Sequence, residues 1–410
     1  MMMEPKIRLK GFSGEWKTQQ IGDIATFSKG KGYSKADLCS EGNPIILYGS
    51  MYTNYSSVID NVITFAPIYD GATFSKGNEV IIPASGETPE DIAIASAVKQ
   101  KDVILGGDIN IVNFDKEFEP AFMALTISNG KTHYELSRYA QGKTIVHLHN
   151  TEIAKGTISA PSLPEQRALA TFFTSLDNQI SAAEKRLASL KQVKAASLQA
   201  MFPQEGETTP KLRFKGCEGE WKKVKLNSFA KRITRKNSNL ESTLPLTIAS
   251  AYGLVSQIDY FNNSVVGANL RNYYLLKKGE FAYNKSYSKG YPFGSVKRLD
   301  RYEQGILSTL YIIFGIDDST SSDYLTHFFD TTLWHKEVAE RATEGARNHG
   351  LLNIGAEDFL DINIWKPRAK EEQDKIASYF TSLDHQISAQ SSKISKLKQI
   401  KSACLDQMFV

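Results

Sequence analysis

The sequence predicts an α+β protein: two mixed α/β bodies joined by two long antiparallel coiled-coil helices, in a pseudo-two-fold and pseudo-circular arrangement. Three observations carry this. The segment PKIRLKGFSGEWK (Pro5–Lys17) recurs as PKLRFKGCEGEWK (Pro210–Lys222), identical at nine of thirteen positions. The stretch Glu165–Phe202 recurs as Glu372–Phe409, identical at 20 of 38 positions. Between these markers, residues 18–145 and 223–350 share little evident similarity. Each copy is therefore a variable body followed by a constant tail, and two copies are too few for a solenoid. The expected boundaries are a first body at 1–160, a spacer helix at 161–205, a second body at 206–366 and a second spacer helix at 367–410.

In the bodies, the runs Asn43–Tyr48, Asn78–Ser85, Asn110–Phe114, Gly279–Asn284 and Leu310–Ile316 read as strands between Gly, Asn and Ser turns. Pro120–Asn129 and Ser322–Ala342 read as helices. Several strands, one helix and a closing strand, in the same order twice, describe an α+β body. The tails contain no Gly or Pro and are rich in Ala, Leu, Lys, Gln and Ser. Pro161 and Pro164 sit where proline is tolerated at a helix start. Apolar residues at Ile180, Leu187, Leu190, Val193, Leu198 and Met201, and at Ile387, Ile394, Leu397, Ile400, Leu405 and Met408, follow much of a three-four alternation. Helix packing is assigned to Ile180, Leu187, Leu190, Leu198, Ile387, Ile394, Leu397 and Leu405. A helix of 38 residues spans about 57 Å. Such a stripe needs a partner, and the cheapest one is the other tail. If the second helix returns antiparallel, its Met408-Phe409 ends beside the first PKIRLKG, as Met201-Phe202 leads into the second.

Composition excludes several classes. The 410 residues are 41% hydrophobic and 23% charged, which is neither disordered nor fibrous. Cys39, Cys217 and Cys404 lie far apart, so no zinc ribbon or disulfide framework is expected and a reducing compartment fits. The start lacks the apolar core of a secretory signal, and no run is apolar enough to span a bilayer. Catalytic motifs are missing. Gly142-Lys143-Thr144 ends like a P-loop, but Ser137 stands where the first glycine belongs. Gly30-Lys31-Gly32 is only a fragment of a dinucleotide fingerprint. His147 and His149 could offer imidazoles to a metal, yet no Cys or acidic partner has ligand spacing, so a strand end is expected. Glu15-Trp16-Lys17 and Glu220-Trp221-Lys222 imitate part of a metal-dependent nuclease site; docking of the tryptophan is the expected role. No metal or cofactor is expected on this chain.

Basic, aromatic loops recur in both bodies and point to DNA. The first body offers Lys29, Lys31, Tyr33, Lys35, Tyr52, Lys143 and Thr144. The second offers Arg232, Arg235, Lys236, Tyr252, Asn284, Lys285, Tyr287, Lys289, Arg347 and Asn348. Lysine and arginine neutralise phosphates, while Asn, Ser, Tyr and Arg read base edges. The near-neutral total of +4 hides an uneven split. Residues 18–144 carry ten basic and fifteen acidic residues, a net of −5, whereas 222–348 carry eighteen and twelve, a net of +6.

The two-copy layout, with Gly142–Asp177, Gly345–Asp384 and the entry LKGFSGEWK (Leu9–Lys17), resembles the DNA specificity (S) subunit of type I restriction-modification systems. The second copy departs by one extra residue between Pro367 and Glu372-Gln373. The resemblance implies that each body is a target recognition domain reading one half of a split site on double-stranded DNA. The helix pair would then act as a ruler for the gap between the halves. It implies two adenine-N6 methyltransferase (M) subunits as partners, and two restriction (R) subunits able to join them, in the bacterial cytoplasm. S-adenosylmethionine, ATP and Mg would belong to those partners. A protein-binding coiled-coil scaffold is the alternative reading, and an autonomous nuclease a distant third.

Overall fold

The computed structural model describes residues 4–53, 55–249, 253–261, 269–288, 290–342 and 352–409. The chain divides into two compact units, Met1–Arg186 with Gln390–Val410, and Leu187–Ala389.

The first unit is built on a five-stranded sheet with the spatial order Ala25–Lys29, Ile109–Phe114, Glu79–Pro83, Ser96–Val98, Val58–Ile59. Its three central strands are buried on both faces, while the edge strand Ala25–Lys29 is not. Val80, Ile82 and Val112 pack beneath the helices Pro120–Ile127 and Gly130–Tyr139. Ile81, Ile109 and Ile111, on alternate positions, pack with Ile46, Met51 and Leu105 on the opposite side. Asn43–Ile46 lies there between Phe65–Ala66 and Ile104–Leu105 in a second, three-stranded layer. A ribbon of Lys17–Gln20 against Thr157–Ala160 closes the body where the long helix leaves it.

The second unit repeats this plan without the sequence likeness. Its central sheet has the order Ala230–Ile233, Ile312–Ile316, Phe281–Asn284, Ser295–Arg298, and Lys222–Lys225 pairs with Asn363–Lys366 as the closing ribbon. One expectation needs correction. Ser322–Ala342 is two helices, Ser322–Phe328 and His335–Arg341. Local hydrogen bonds break it: the Thr331 hydroxyl donates to Phe328 O at 2.7 Å, and the buried Trp334 Nε1 donates to Phe329 O at 3.2 Å. A second helix in the first body, Gly130–Tyr139, was not anticipated.

The tails form helices Leu163–Ala200 and Lys370–Met408. Within the first unit the start of one lies antiparallel to the end of the other: Gln390 Nε2 donates to Ala183 O at 3.1 Å, and Lys401 pairs with Asp177. Within the second unit Lys194 Nζ meets Asp384 Oδ1 at 2.7 Å, and the Ser197 and Tyr379 hydroxyls are 2.9 Å apart. The seam differs from the expected stripe at one repeated position. Val193 and Ile400 are 46% and 49% exposed. The regular alternation 190, 194, 197, 201 puts Lys194 on the seam, with Lys401 its counterpart. A residue one place early is turned away by about 100°.

The joints are alike. Glu165 and Glu372 each occupy the third position of their helix and take a two-pronged ion pair, from Arg8 at 2.7 and 2.6 Å and from Arg213 at 2.7 and 2.8 Å. Gln166 accepts the Glu119 N–H and donates to Pro161 O, both at 2.9 Å. Gln373 does the same with Ser321 N–H at 2.9 Å and Pro367 O at 3.2 Å. The extra residue of the second copy lies between that proline and the helix, so the lock survives it. Phe409 sits in the first core with Trp16, and Phe202 in the second with Trp221. Ile7 N–H donates to Gln407 O at 3.0 Å, just as Leu212 N–H donates to Ala200 O at 2.8 Å.

Candidate nucleic-acid interface

The candidates of the first body lie on loops and at the ends of short elements: Lys29 ends the strand Ala25–Lys29, Lys35 opens the single turn Lys35–Asp37 and Tyr52 lies in the short helix Ser50–Thr53. Gly30–Tyr33 crosses the Leu105–Asp108 turn: Lys31 N–H donates to Leu105 O at 3.2 Å and Gly107 N–H to Gly32 O at 2.6 Å. Only glycine fits at position 30, because a Cβ there would lie 1.9 Å from Gly106 O. Tyr33 follows at φ +56°. Its ring stacks on Tyr69 (4.9 Å, 12°) and its hydroxyl oxygen accepts the Tyr69 N–H at 2.8 Å. Tyr69 in turn donates to Asp37 at 3.0 Å. The Ser34 N–H, the Ser34 hydroxyl and that tyrosine hold the Asp37 carboxyl below its usual range. Lys29, Lys31 and Lys35 remain exposed.

Two clefts open here, with Tyr48 in the wall of both. One, of about 800 Å³, is lined by Tyr33, Lys35, Tyr48 and Asp108. The other, of about 860 Å³, is lined by Tyr48, Tyr52, Ser85 and Ile145. The Tyr52 hydroxyl donates to Ser85 O at 2.7 Å, and burial pushes its pKa up. Lys143 and Thr144 are exposed on the turn just before Ile145. His147 ends the strand Val146–His147, and His149 precedes the short helix Asn150–Ile153.

The second body splits its candidates. Arg235 donates through Nη2 to Glu280 at 2.8 and 2.7 Å. Lys236 donates to Asn272 O at 2.8 Å, with its ammonium 4.3 Å from the Tyr274 ring centre. Both cations therefore have internal partners. Asn284, Lys285 and Tyr287 lie at the far end of Phe281–Asn284 from Glu280. Asn284 Oδ1 accepts the Ser286 N–H at 3.0 Å and Lys285 O accepts Leu352 N–H at 2.9 Å. Tyr287 is 62% exposed, and Arg232 is exposed on the edge strand. Tyr252, Lys289, Arg347 and Asn348 lie outside the described residues.

Residues 13–192 match the type I restriction modification DNA specificity domain. That stretch, less than half of the chain, is similar to this family of DNA specificity domains. The matched stretch holds the first body from residue 13 on and most of the first long helix, and the internal repeat extends the same plan to the second copy. The type I restriction-modification S subunit from M. genitalium has a similar fold: TM-score 0.65 at 13% identity, over 100% of this chain and 99% of that one. Two others align less closely. The HsdS subunit from Thermoanaerobacter tengcongensis does so at 15% identity over 96% of each chain, TM-score 0.44. A chain from a type I R-M complex assembly does so at 15% identity over 96% of this chain and 97% of that one, TM-score 0.48. No curated protein sequence matches.

The resemblances to catalytic motifs resolve into structure. Trp16 is buried, edge-on to Phe122 at 5.7 Å, and Trp221 is buried beside Phe202 at 5.8 Å. Among the described residues, His327, Asp330 and Asp384 form the one close group of metal-capable side chains. The cation it holds is an ammonium. Lys194 Nζ lies 2.7 Å from Asp384 and 3.0 Å from Asp330, and Lys297 Nζ lies 2.9 Å from Asp330. Burial opposes the charge of Asp330, but Lys297 and Lys194 outweigh it and hold its pKa at about 2. Two lysines against two carboxylates leave no excess negative charge for a divalent ion. No described helix is long and apolar enough to cross a membrane. The locks Arg8–Glu165 and Arg213–Glu372 were missed by sequence reasoning. Their signal was the recurrence of Arg and of Glu-Gln at fixed offsets.

Proposed function

We propose that this chain is the sequence-reading subunit of a bacterial DNA methylation and restriction complex, acting in the cytoplasm on an asymmetric bipartite site. Each body reads one half and the paired helices set the gap. What carries this reading is repetition of the joints around bodies whose exposed loops differ: the same ion pair, glutamine and aromatic plug present two unlike surfaces. Unlike surfaces on a repeated frame suit unlike half-sites, which for one face of B-DNA lie about 34–36 Å apart. Two copies of an adenine-N6 methyltransferase subunit dock on the repeated parts, and restriction subunits join through them. Support comes from exposed apolar residues that recur at equivalent places, Val193 with Ile400 and Ile7 with Leu212. S-adenosylmethionine, ATP and Mg act in those partners.

Genome-wide mapping of N6-methyladenine with and without the protein tests this directly. A two-part motif that disappears with the protein is expected; a single continuous motif overturns the ruler. Salt dependence separates the protein-scaffold alternative. Phosphate contacts weaken steeply as salt rises, whereas an apolar protein interface changes little.

A further inference from the structure

The residues Val146–His149 alternate: Val146 and Leu148 are buried, while His147 and His149 are exposed. Both imidazoles therefore leave the same face of an extended segment. Their rings are parallel within 2° and their centres 6.1 Å apart. Three contacts fix where they stand. The strand Val146–His147 pairs with Ser85–Gly86, and the Ser85 hydroxyl lies 3.2 Å from His147 Nδ1, at the wall of the second cleft. Gln141 and His147 exchange backbone hydrogen bonds at 2.9 and 2.7 Å, which sets the Lys143–Thr144 turn beside them. Asn150 Nδ2 donates to Ser28 O at 3.0 Å, which brings Lys29 to the other flank.

Packing does not call for histidine at either position, because the inward places are already filled by Val146 and Leu148. What the pair adds is recognition chemistry. His147 presents Nε2, its Nδ1 being met by the Ser85 hydroxyl, and His149 presents its own ring nitrogens; such groups donate or accept in the ring plane, which suits the donor and acceptor edges of bases in a groove. The flanking lysines suit phosphates. This body carries a net of −5 over residues 18–144, so its cations must be concentrated where DNA lies. Resting on the DNA-reading role above, we propose that His147 and His149 read base edges of one half-site, with Lys29 and Lys143 holding the adjoining phosphates.

The full-length protein is mixed with a pool of random-sequence duplexes, and the bound fraction is sequenced. The wild type selects a two-part motif. His147→Ala with His149→Ala loses sequence preference in one part, retains it in the other, and binds the wild-type motif at least tenfold more weakly with an unchanged thermal midpoint. A variant that selects the same two parts with the same affinity overturns the histidine assignment alone. Equal weakening of both parts, with a lowered midpoint, makes the pair structural and also overturns it. A wild type that selects no motif overturns the DNA-reading role and this inference together.

Discussion

Replacing Phe409 by alanine should loosen the first unit, although position 409 is distant in sequence from nearly everything it touches. The ring is 7% exposed; it stacks on Phe122 at 5.7 Å, and meets Phe173 at 5.6 Å and Trp16 at 6.3 Å. A phenylalanine removes about 150 Å² or more from water, worth about 4 kcal/mol at 25 cal/mol per Å². Truncations of this kind cost about 3–5 kcal/mol once the cavity is included. The backbone beyond Met408 can relax into part of the space, which argues for about 3 kcal/mol, or roughly a hundredfold rise in opening. Hydrogen exchange followed by mass spectrometry reads this segment by segment. Lys17–Gln20 and Pro120–Ile127 should exchange about a hundredfold faster, while Phe281–Asn284 and Ser322–Phe328 keep their protection. Phe202→Ala should give the mirror-image pattern. Unchanged protection around Trp16 and Phe122 would refute the reasoning, as would equal loss in both units.

Three further outcomes can be checked. Glu372→Ala should cost about 1 kcal/mol more than Glu165→Ala, because Glu372 also accepts Trp221 Nε1 at 3.3 Å while Trp16 Nε1 has no hydrogen-bond partner; denaturant midpoints decide it, and equal costs would contradict the assigned contact. Asp330, held at about 2, should contribute about 2 kcal/mol above its unfolded pKa of about 4 and lose it as pH falls from 4 to 2. The stability gap between wild type and Asp330→Asn should therefore close over that window, and a gap constant with pH counts against the Lys194 and Lys297 pairing. Val193→Glu with Ile400→Glu should leave thermal stability within about 0.5 kcal/mol yet abolish co-purification of the proposed methyltransferase partner; retained co-purification would remove these positions from the proposed docking surface.

The joints were readable in the sequence because the chain states them twice. A thirteen-residue entry and a 38-residue tail, each repeated at a near-constant offset, announced both helices and their ends. The seam was less readable. A rule that seeks apolar residues chooses Val193 and Ile400, whereas the helix places Lys194 and Lys401 inward because Asp384, Asp330 and Asp177 receive them. The break inside Ser322–Ala342 escaped notice because no Gly or Pro marks it; a threonine hydroxyl and an indole N–H end the helix instead. Gly130–Tyr139 was missed because it is mostly polar and begins on a glycine at φ +63°. Of the strands that share an order in the two bodies, Glu79–Pro83, Ile109–Phe114, Phe281–Asn284 and Ile312–Ile316 stood out as apolar runs, whereas Ala25–Lys29, Ser96–Val98, Ala230–Ile233 and Ser295–Arg298 are too short or too polar to register. Arg235 and Lys236 are basic in sequence, but in the fold Glu280, Asn272 and Tyr274, all distant along the chain, already engage them.

The division of the chain also bears on how the molecule comes off the ribosome. The second unit, Leu187–Ala389, is continuous in sequence, whereas the first, Met1–Arg186, is completed by residues 390–410. Translation proceeds at about 5–20 residues per second, and domains ordinarily fold in the order they are made. Here that order is inverted. The second unit holds all its own parts as soon as residue 389 has emerged, while Trp16, Phe122 and Phe173 wait through about two hundred further residues for Phe409 to cover them. For that interval the first unit lacks the ring that packs on Trp16, Phe122 and Phe173. A chain that stalls before residue 390 carries one finished unit and one that cannot close.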